Sequence, residues 1–127
     1  MVIVIIHWKI HPHEEALRMF LDHWRDTLTI EERSHLVGEY LSRPLTAEEA
    51  QFPCVSMSAP PSANYKSYFN VGIWKDLESF RQQIILPYVT SKPKTASFEY
   101  EYRERMVLSP VSWRAGRHGP PDADHFA

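Results

Sequence analysis

"YFNVGIWKDLESF", residues 68–80, reads as a strand running into a helix, and one face of that strand is unusual. Phe69, Val71 and Ile73 alternate as a core-facing row does. The other row is Tyr68, Asn70, Gly72 and Trp74, which suits neither a solvent face nor an ordinary core. An aromatic–amide–glycine–aromatic row must have something opposite it, and the rest of the chain has to supply it.

Working outward, residues 2–10, VIVIIHWKI, are β-branched and nearly continuous in apolar character, which predicts a strand. Pro12 then opens a helix with Glu14 and Glu15 in its first turn, where the helix dipole favours acids. Leu17, Phe20, Leu21, Trp24 and Leu28 make one apolar stripe along it. Residues 34–43 read as a second strand, ended by Pro44. The connection 44–67 carries four prolines, and within it TAEE (46–49) fits a capping box and a short helix. After the strand at 68–75, Asp76 caps a second helix carrying Leu77, Phe80 and Ile84, which stops near Pro87. Residues 98–108, FEYEYRERMVL, alternate strictly and read as a fourth strand.

The order β-α-β-β-α-β is the ferredoxin-like split unit: an α+β domain with a four-stranded antiparallel sheet and two helices on one face. The expected organisation is one domain over 1–113 with a 44–67 insertion loop, and a flexible tail over 114–127. Strand 1 is apolar on both faces, and strand 3 has Tyr68 and Trp74 on its non-core side, so both faces of the sheet need cover. The expected cover is a second copy of the chain, stacked on the open sheet face about 10 Å away, with the Tyr68–Trp74 row pointing into the dimer interior.

Composition narrows the function. Of 127 residues 43% are hydrophobic and 24% charged, and the net charge is −2, so nothing suggests nucleic acid or an anionic membrane as partner. The apolar start, Met1 to Ile6, is too short for a signal or a membrane span. Cys54, the one cysteine, has no disulfide partner in the chain, and the expected compartment is the cytoplasm.

Strand 1 with its helix, and NVGIWKDLESF with a Trp at the strand end followed by Lys-Asp and a helix carrying Phe80, resemble the dimeric α+β barrel superfamily, within it the antibiotic-biosynthesis-monooxygenase-like domains. The resemblance covers residues 2–110 apart from the 44–67 insertion. It implies oxygenase chemistry in some members and haem degradation, metal-dependent sulfur oxygenation or stress response in others. Monooxygenases of this fold that need neither metal nor flavin use an Asn and a Trp four apart on the corresponding strand, a spacing that Asn70 and Trp74 match. Haem-degrading relatives use a strand-1 Asn and a His after the second helix. Here the strand-1 position is read as His7, and LPYVTSKP (86–93) contains no histidine, which counts against haem.

Asn70 and Trp74 share a face with Gly72 between them, which opens a hollow flanked by Tyr68 and Trp74. In it a planar aromatic substrate stacks while the Asn amide donates to a developing oxyanion. The plainer alternative is that Trp74 packs an interface and Asn70 satisfies backbone groups. His7 is the proton-transfer candidate, against a histidine merely hydrogen-bonded in a polar interface. His11 joins Tyr68, Gly72 and Arg103 as a substrate-binding candidate. His7, His11, His13 and Glu14 invite a two-His-one-carboxylate iron site, but the His11–His13 corner equally suits capping, and no metal or cofactor is expected. Tyr100 and Tyr102 are assigned to core packing with Phe98, Met106 and Leu108, and Glu101, Arg103 and Arg105 to the opposite face.

The expected function is cofactor-independent monooxygenation of a small aromatic or polyketide-like molecule, in a pocket between sheet and helices or at the dimer interior. The catalytic set is Asn70, Trp74 and His7. The rivals are a non-catalytic ligand-binding or stress-responsive barrel, and a metal- or haem-dependent oxygenase of the same fold.

Overall fold

The computed structural model describes residues 1–27, 33–51, 64–82 and 94–117. Four strands, β1 (Val2–Ile10), β2 (Leu36–Ser42), β3 (Lys66–Trp74) and β4 (Glu99–Leu108), form one sheet in the order β2-β3-β1-β4, and the three strand pairs are antiparallel. Helix α1 (Glu14–Asp26) joins β1 to β2, α2 (Ala47–Ala50) lies between β2 and β3, and α3 (Leu77–Phe80) follows β3. This is the expected β-α-β-β-α-β order with one short helix added in the long connection.

Local chemistry sets the helix starts. Helix α1 begins two residues after Pro12, because the His13 ring caps it: Ala16 N donates to Nδ1 at 3.1 Å. At α2 the capping box closes as read, with Glu49 N donating to Thr46 Oγ1 at 3.1 Å and Thr46 N to a Glu49 carboxylate oxygen at 3.2 Å. The Arg43 guanidinium beside Glu49 and these cap bonds hold its carboxyl down to about 2. Asp76 caps α3 by accepting from Ser79 N at 2.7 Å, which lowers its pKa. The predicted course of that helix towards Pro87 lies outside the described residues, as does Cys54.

The two faces of the sheet are the reverse of the sequence reading. Val2, Val4, Trp8 and Ile10 are buried on the helix side, and β1–β3 register puts Trp74, Gly72, Asn70, Tyr68 and Lys66 opposite alternate β1 residues on that same face. Phe20 of α1 packs on Tyr68 at 5.5 Å between ring centroids, and Phe80 of α3 packs on Trp74 at 5.6 Å. The aromatic–amide–glycine–aromatic row therefore looks at the helices of its own chain, not into a dimer interior. The row Phe69, Val71 and Ile73 lies on the open face and is only partly buried. The cause is visible in the burial. α1 brings Phe20, 0% exposed, to a surface with a hollow to fill, while the flatter aliphatic row is left outside.

That open face is apolar. Ile5 pairs with Val71 on one side and Met106 on the other, and Ile3 with Ile73 and Leu108. Met106 and Leu108 are 58% and 38% exposed, so they are not core residues as the alternation in β4 suggested. Lys9 bridges Glu101 and Glu104 at 3.1 and 3.4 Å at one end of the face.

The position of α1 gives a stability contrast between neighbours. Phe20→Ala removes a wholly buried ring and should cost about 3–5 kcal/mol, whereas Met19→Ala, on the exposed side, should change stability by no more than about 0.5 kcal/mol. Urea unfolding followed by Trp fluorescence measures both. Equal losses would show that α1 does not dock as described.

Candidate functional site

Between the helices and the sheet lies a hollow of about 590 Å³, counting the part open to solvent. β1 gives it Val4, Ile6 and Trp8, and the end of α1 gives His23, Trp24 and Thr27. Glu39 comes from β2, Asn70 and Trp74 from β3, Phe80 from α3, and Arg103 and Arg105 from β4. An apolar cavity with a few convergent polar groups is the usual form of a small-molecule site.

A polar chain crosses its wall. Trp24 Nε1 donates to Asn70 Oδ1 at 2.6 Å, and Asn70 Nδ2 donates to Glu39 Oε1 at 2.5 Å. An indole N–H can only donate and a carboxylate only accept, so the two neighbours fix which end of the amide is which. Gly72 makes the arrangement possible. A Cβ there would stand 3.3 Å from Trp74 Nε1, 3.6 Å from Glu39 Oε1 and 3.8 Å from Glu39 Cγ. The space a side chain would take is held by an indole edge and a carboxylate, which is what lies opposite the row. Burial pushes the Glu39 carboxyl up from its ordinary value, against the Asn70 hydrogen bond and the Arg33 charge, which both lower it.

The β4 end is cationic. Arg103 donates to buried Glu99 at 2.5 Å, and its guanidinium lies 4.0 Å from the centre of the Trp8 ring. Arg105 donates to the Tyr102 hydroxyl at 3.3 Å. His23 sits against Phe98 and Trp8, at 5.2 and 6.1 Å between centroids. Burial and the Arg103 charge lower its pKa against the pull of Glu99, which favours the neutral imidazole.

Of the residues singled out from sequence, Asn70, Trp74, Gly72 and Arg103 meet at the hollow. Tyr68 shares their face but is packed on Phe20. His7 is not there. As an odd-numbered residue of β1 it points away from the helices, accepts or donates a 2.9 Å hydrogen bond with Ser67 Oγ, and stacks on Phe69 at 4.5 Å. Burial, then Lys9, lower its pKa, with Glu104 opposing. The base assignment to His7 is therefore corrected. His11 is at the β1–α1 corner, stacked on His13 at 5.9 Å and outside the hollow. Among the described residues no group of three or more His, Cys, Asp or Glu is placed to hold a metal ion. Residues 86–93, read for their lack of histidine, lie outside the described residues.

Arg103 and Arg105 face the hollow because β4 pairs regularly with β1 as far as His7, which sets Arg105 opposite Ile6 and Arg103 on the same face; the register shifts come only beyond them, towards Glu99. Sequence reading missed Glu39, Trp24 as a donor, and His23. Glu39 was hidden by a register shift between Leu36 and Gly38, which puts Leu36 and Glu39, three apart, on one face.

Two outcomes follow from Glu39 and Gly72. Gly72→Val must displace Trp74 or Glu39, so loss of the native near-ultraviolet Trp signal is expected; an unchanged spectrum with unchanged ligand binding contradicts the geometry. A carboxyl whose folded pKa is raised favours folding below its ordinary value of 4.5 and loses that advantage as pH rises through the folded value. Glu39→Gln should therefore raise Tm relative to the parent at pH 8 and do so less at pH 4. A Tm difference that is the same at both pH values sinks this.

The sequence matches no family model and no curated protein. Among solved structures, the fold is similar to that of a MhuD variant with two manganese protoporphyrin IX bound per active site, at 14% identity and a TM-score of 0.51, over 90% of this chain and 99% of that one. Others are the haem degrader MhuD from Mycobacterium tuberculosis with two haems bound (14%, TM-score 0.49, 89% and 99% covered) and a variant of SnoaB, a cofactor-independent oxygenase from Streptomyces nogalater (12%, TM-score 0.44, 88% and 94% covered). At these identities the likeness is one of fold, and no residue role is carried over from it. Among the described residues no helix is long and apolar enough to cross a membrane. The chain shares the ferredoxin-like α+β fold of the first of these structures.

Proposed function

We propose that this chain is a cofactor-independent monooxygenase that oxidises a small phenolic or enolisable aromatic molecule in the hollow between sheet and helices. The observation that carries the reading is the Trp24–Asn70–Glu39 chain beside Trp74 in an otherwise apolar space. Without a redox cofactor, the substrate itself must supply the electrons. Loss of a proton gives a phenolate or enolate that can pass them to O₂. A methylene carbon then becomes a carbonyl and one water leaves, so that CH₂ and O₂ yield C=O and H₂O.

The residues have distinct parts. Trp74 and Ile6 bound an apolar slot for a planar ring. One Asn70 N–H is held by Glu39, and the other is left to stabilise the substrate oxyanion. Because Trp24 fixes the amide, that donor needs no reorganisation as charge develops. We also propose that a second copy covers the open face of Ile5, Val71 and Met106, completing a homodimer, since this apolar surface has no cover within the described residues.

Oxygen-electrode measurements on a panel of polyphenols and anthrones test the reaction. Asn70→Ala should lower turnover by about 10²–10³, the usual loss for one oxyanion donor, with much smaller change in binding. Ligand binding with no oxygen uptake by the parent protein would make the chain a binding protein. A Soret band that titrates to one haem per chain would favour the haem-dependent rival. For assembly, light scattering should give roughly twice the 14.9 kDa chain mass, and Val71→Glu should halve it. A folded parent monomer would refute the dimer.

A further inference from the structure

We propose that Glu39 is the general base of this site, taking the proton whose loss makes the substrate able to reduce O₂. The assignment rests on the oxidative reading above and adds a catalytic residue to it. Glu39 is the one carboxylate among the described residues that line the hollow. One of its oxygens accepts from Asn70 at 2.5 Å, and the other has no protein hydrogen-bond donor among the described residues. Register with Gly72 carries the side chain over the glycine and into the hollow, not out to solvent. An acceptor oxygen and an Asn70 N–H thus stand side by side. A substrate oxygen against the amide puts its adjacent acidic hydrogen against the carboxylate.

The surroundings suit a base. The groups around Glu39 are Arg33 before β2, the neutral amide of Asn70 on β3, His23 on α1, and Arg103 and Arg105 on β4. Arg103 is neutralised by Glu99. Burial raises the Glu39 pKa, which strengthens it as a proton acceptor, against the opposing pull of Asn70 and Arg33.

With an anthrone-type substrate, a methylene C–H breaks, its proton goes to the second Glu39 oxygen, and the electron pair stays as the enolate. O₂ accepts electrons from it and a C–O bond forms. Glu39 returns the proton to the terminal peroxide oxygen. It then takes the remaining hydrogen of that carbon as the O–O bond breaks, and water leaves behind a carbonyl.

The proton step can be measured without oxygen. Anthrone is the keto form of a phenol, and in anaerobic D₂O buffer its methylene deuterium uptake reports base catalysis alone. The parent protein should accelerate uptake, with a rate that rises with pH through the Glu39 pKa to a plateau. Glu39→Gln should lower the acceleration by about 10²–10⁴ and flatten the pH profile, with Glu39→Asp intermediate. Anthrone affinity, read by Trp fluorescence quenching, should stay within about threefold, less than the tenfold change that marks a lost contact. Equal exchange in parent and Glu39→Gln, a rate loss that only mirrors lost affinity, or no acceleration by the parent would overturn the assignment. Exchange that depends on Glu39 with no oxygen uptake in air would leave the base standing and remove the oxygenase reading. Oxygen uptake indifferent to Glu39→Gln would do the reverse.

Discussion

The structure turns on one buried amide. Asn70 is 2% exposed on the face of the central strand that meets the helices, where an unpaired amide costs roughly 1–3 kcal/mol or more. Its oxygen needs a donor and its nitrogen an acceptor, and the neighbouring strands and helix are arranged to bring both. α1 supplies the Trp24 indole near its C-terminal end, and β2 supplies Glu39. Glu39 and the Trp74 indole could not keep their places if the row were regular, since a side chain at position 72 would press on both. The glycine in the opening stretch is the vacancy that lets an amide, an indole and a carboxylate converge on one apolar wall.

That convergence leaves an electrostatic imbalance. A carboxylate largely withdrawn from water beside a neutral amide is poorly solvated, and the Arg33 charge eases this only against the larger effect of burial. The cations of β4 are committed differently: Arg103 is tied to Glu99, with side chains 9% and 0% exposed, and stacked on Trp8. A stability-optimised core would pair Glu39 with one of them or replace it with an apolar residue. Keeping the two apart lets the site hold an under-compensated carboxylate at one end and a buried guanidinium at the other. Under the proposed reading, local stability is given up where a reactive group is needed.

Much of the fold was legible because it depends on periodicity and caps. The β-branched run of β1, the Thr46–Glu49 box and the Asp76 cap are local signals, and each element forms where its signal lies. Which face of β3 is inside was not legible from the strand alone. Phe69, Val71 and Ile73 look like a core row, and only the bulk carried by α1, with Phe20 reaching Tyr68, decides against them. Part of the candidate site was legible: Asn70, Gly72 and Trp74 share a face under any register. Arg103 was legible as a candidate, and Arg105 shares its face by plain alternation, but Glu39 was not: a register shift near the start of β2 puts Leu36 on its face in place of Val37, and such a shift leaves no mark in period-two counting.

Regular pairing decides where the charges of the two edge strands go. β4 keeps one register with β1 from Leu108 to Glu104, so Arg105 lies opposite Ile6, and Arg103, two residues away, shares its face towards the hollow. Glu39 lies opposite Gly72, which turns its side chain to the same side. The open face keeps charges of its own at one end, where Lys9 bridges Glu101 and Glu104, while Ile3, Ile5, Val71 and Ile73 form its apolar part. The acid thus enters the hollow from one edge strand and the two cations from the other, with β3 and β1 between them, and that separation holds a carboxylate and guanidinium groups at opposite ends of one cavity.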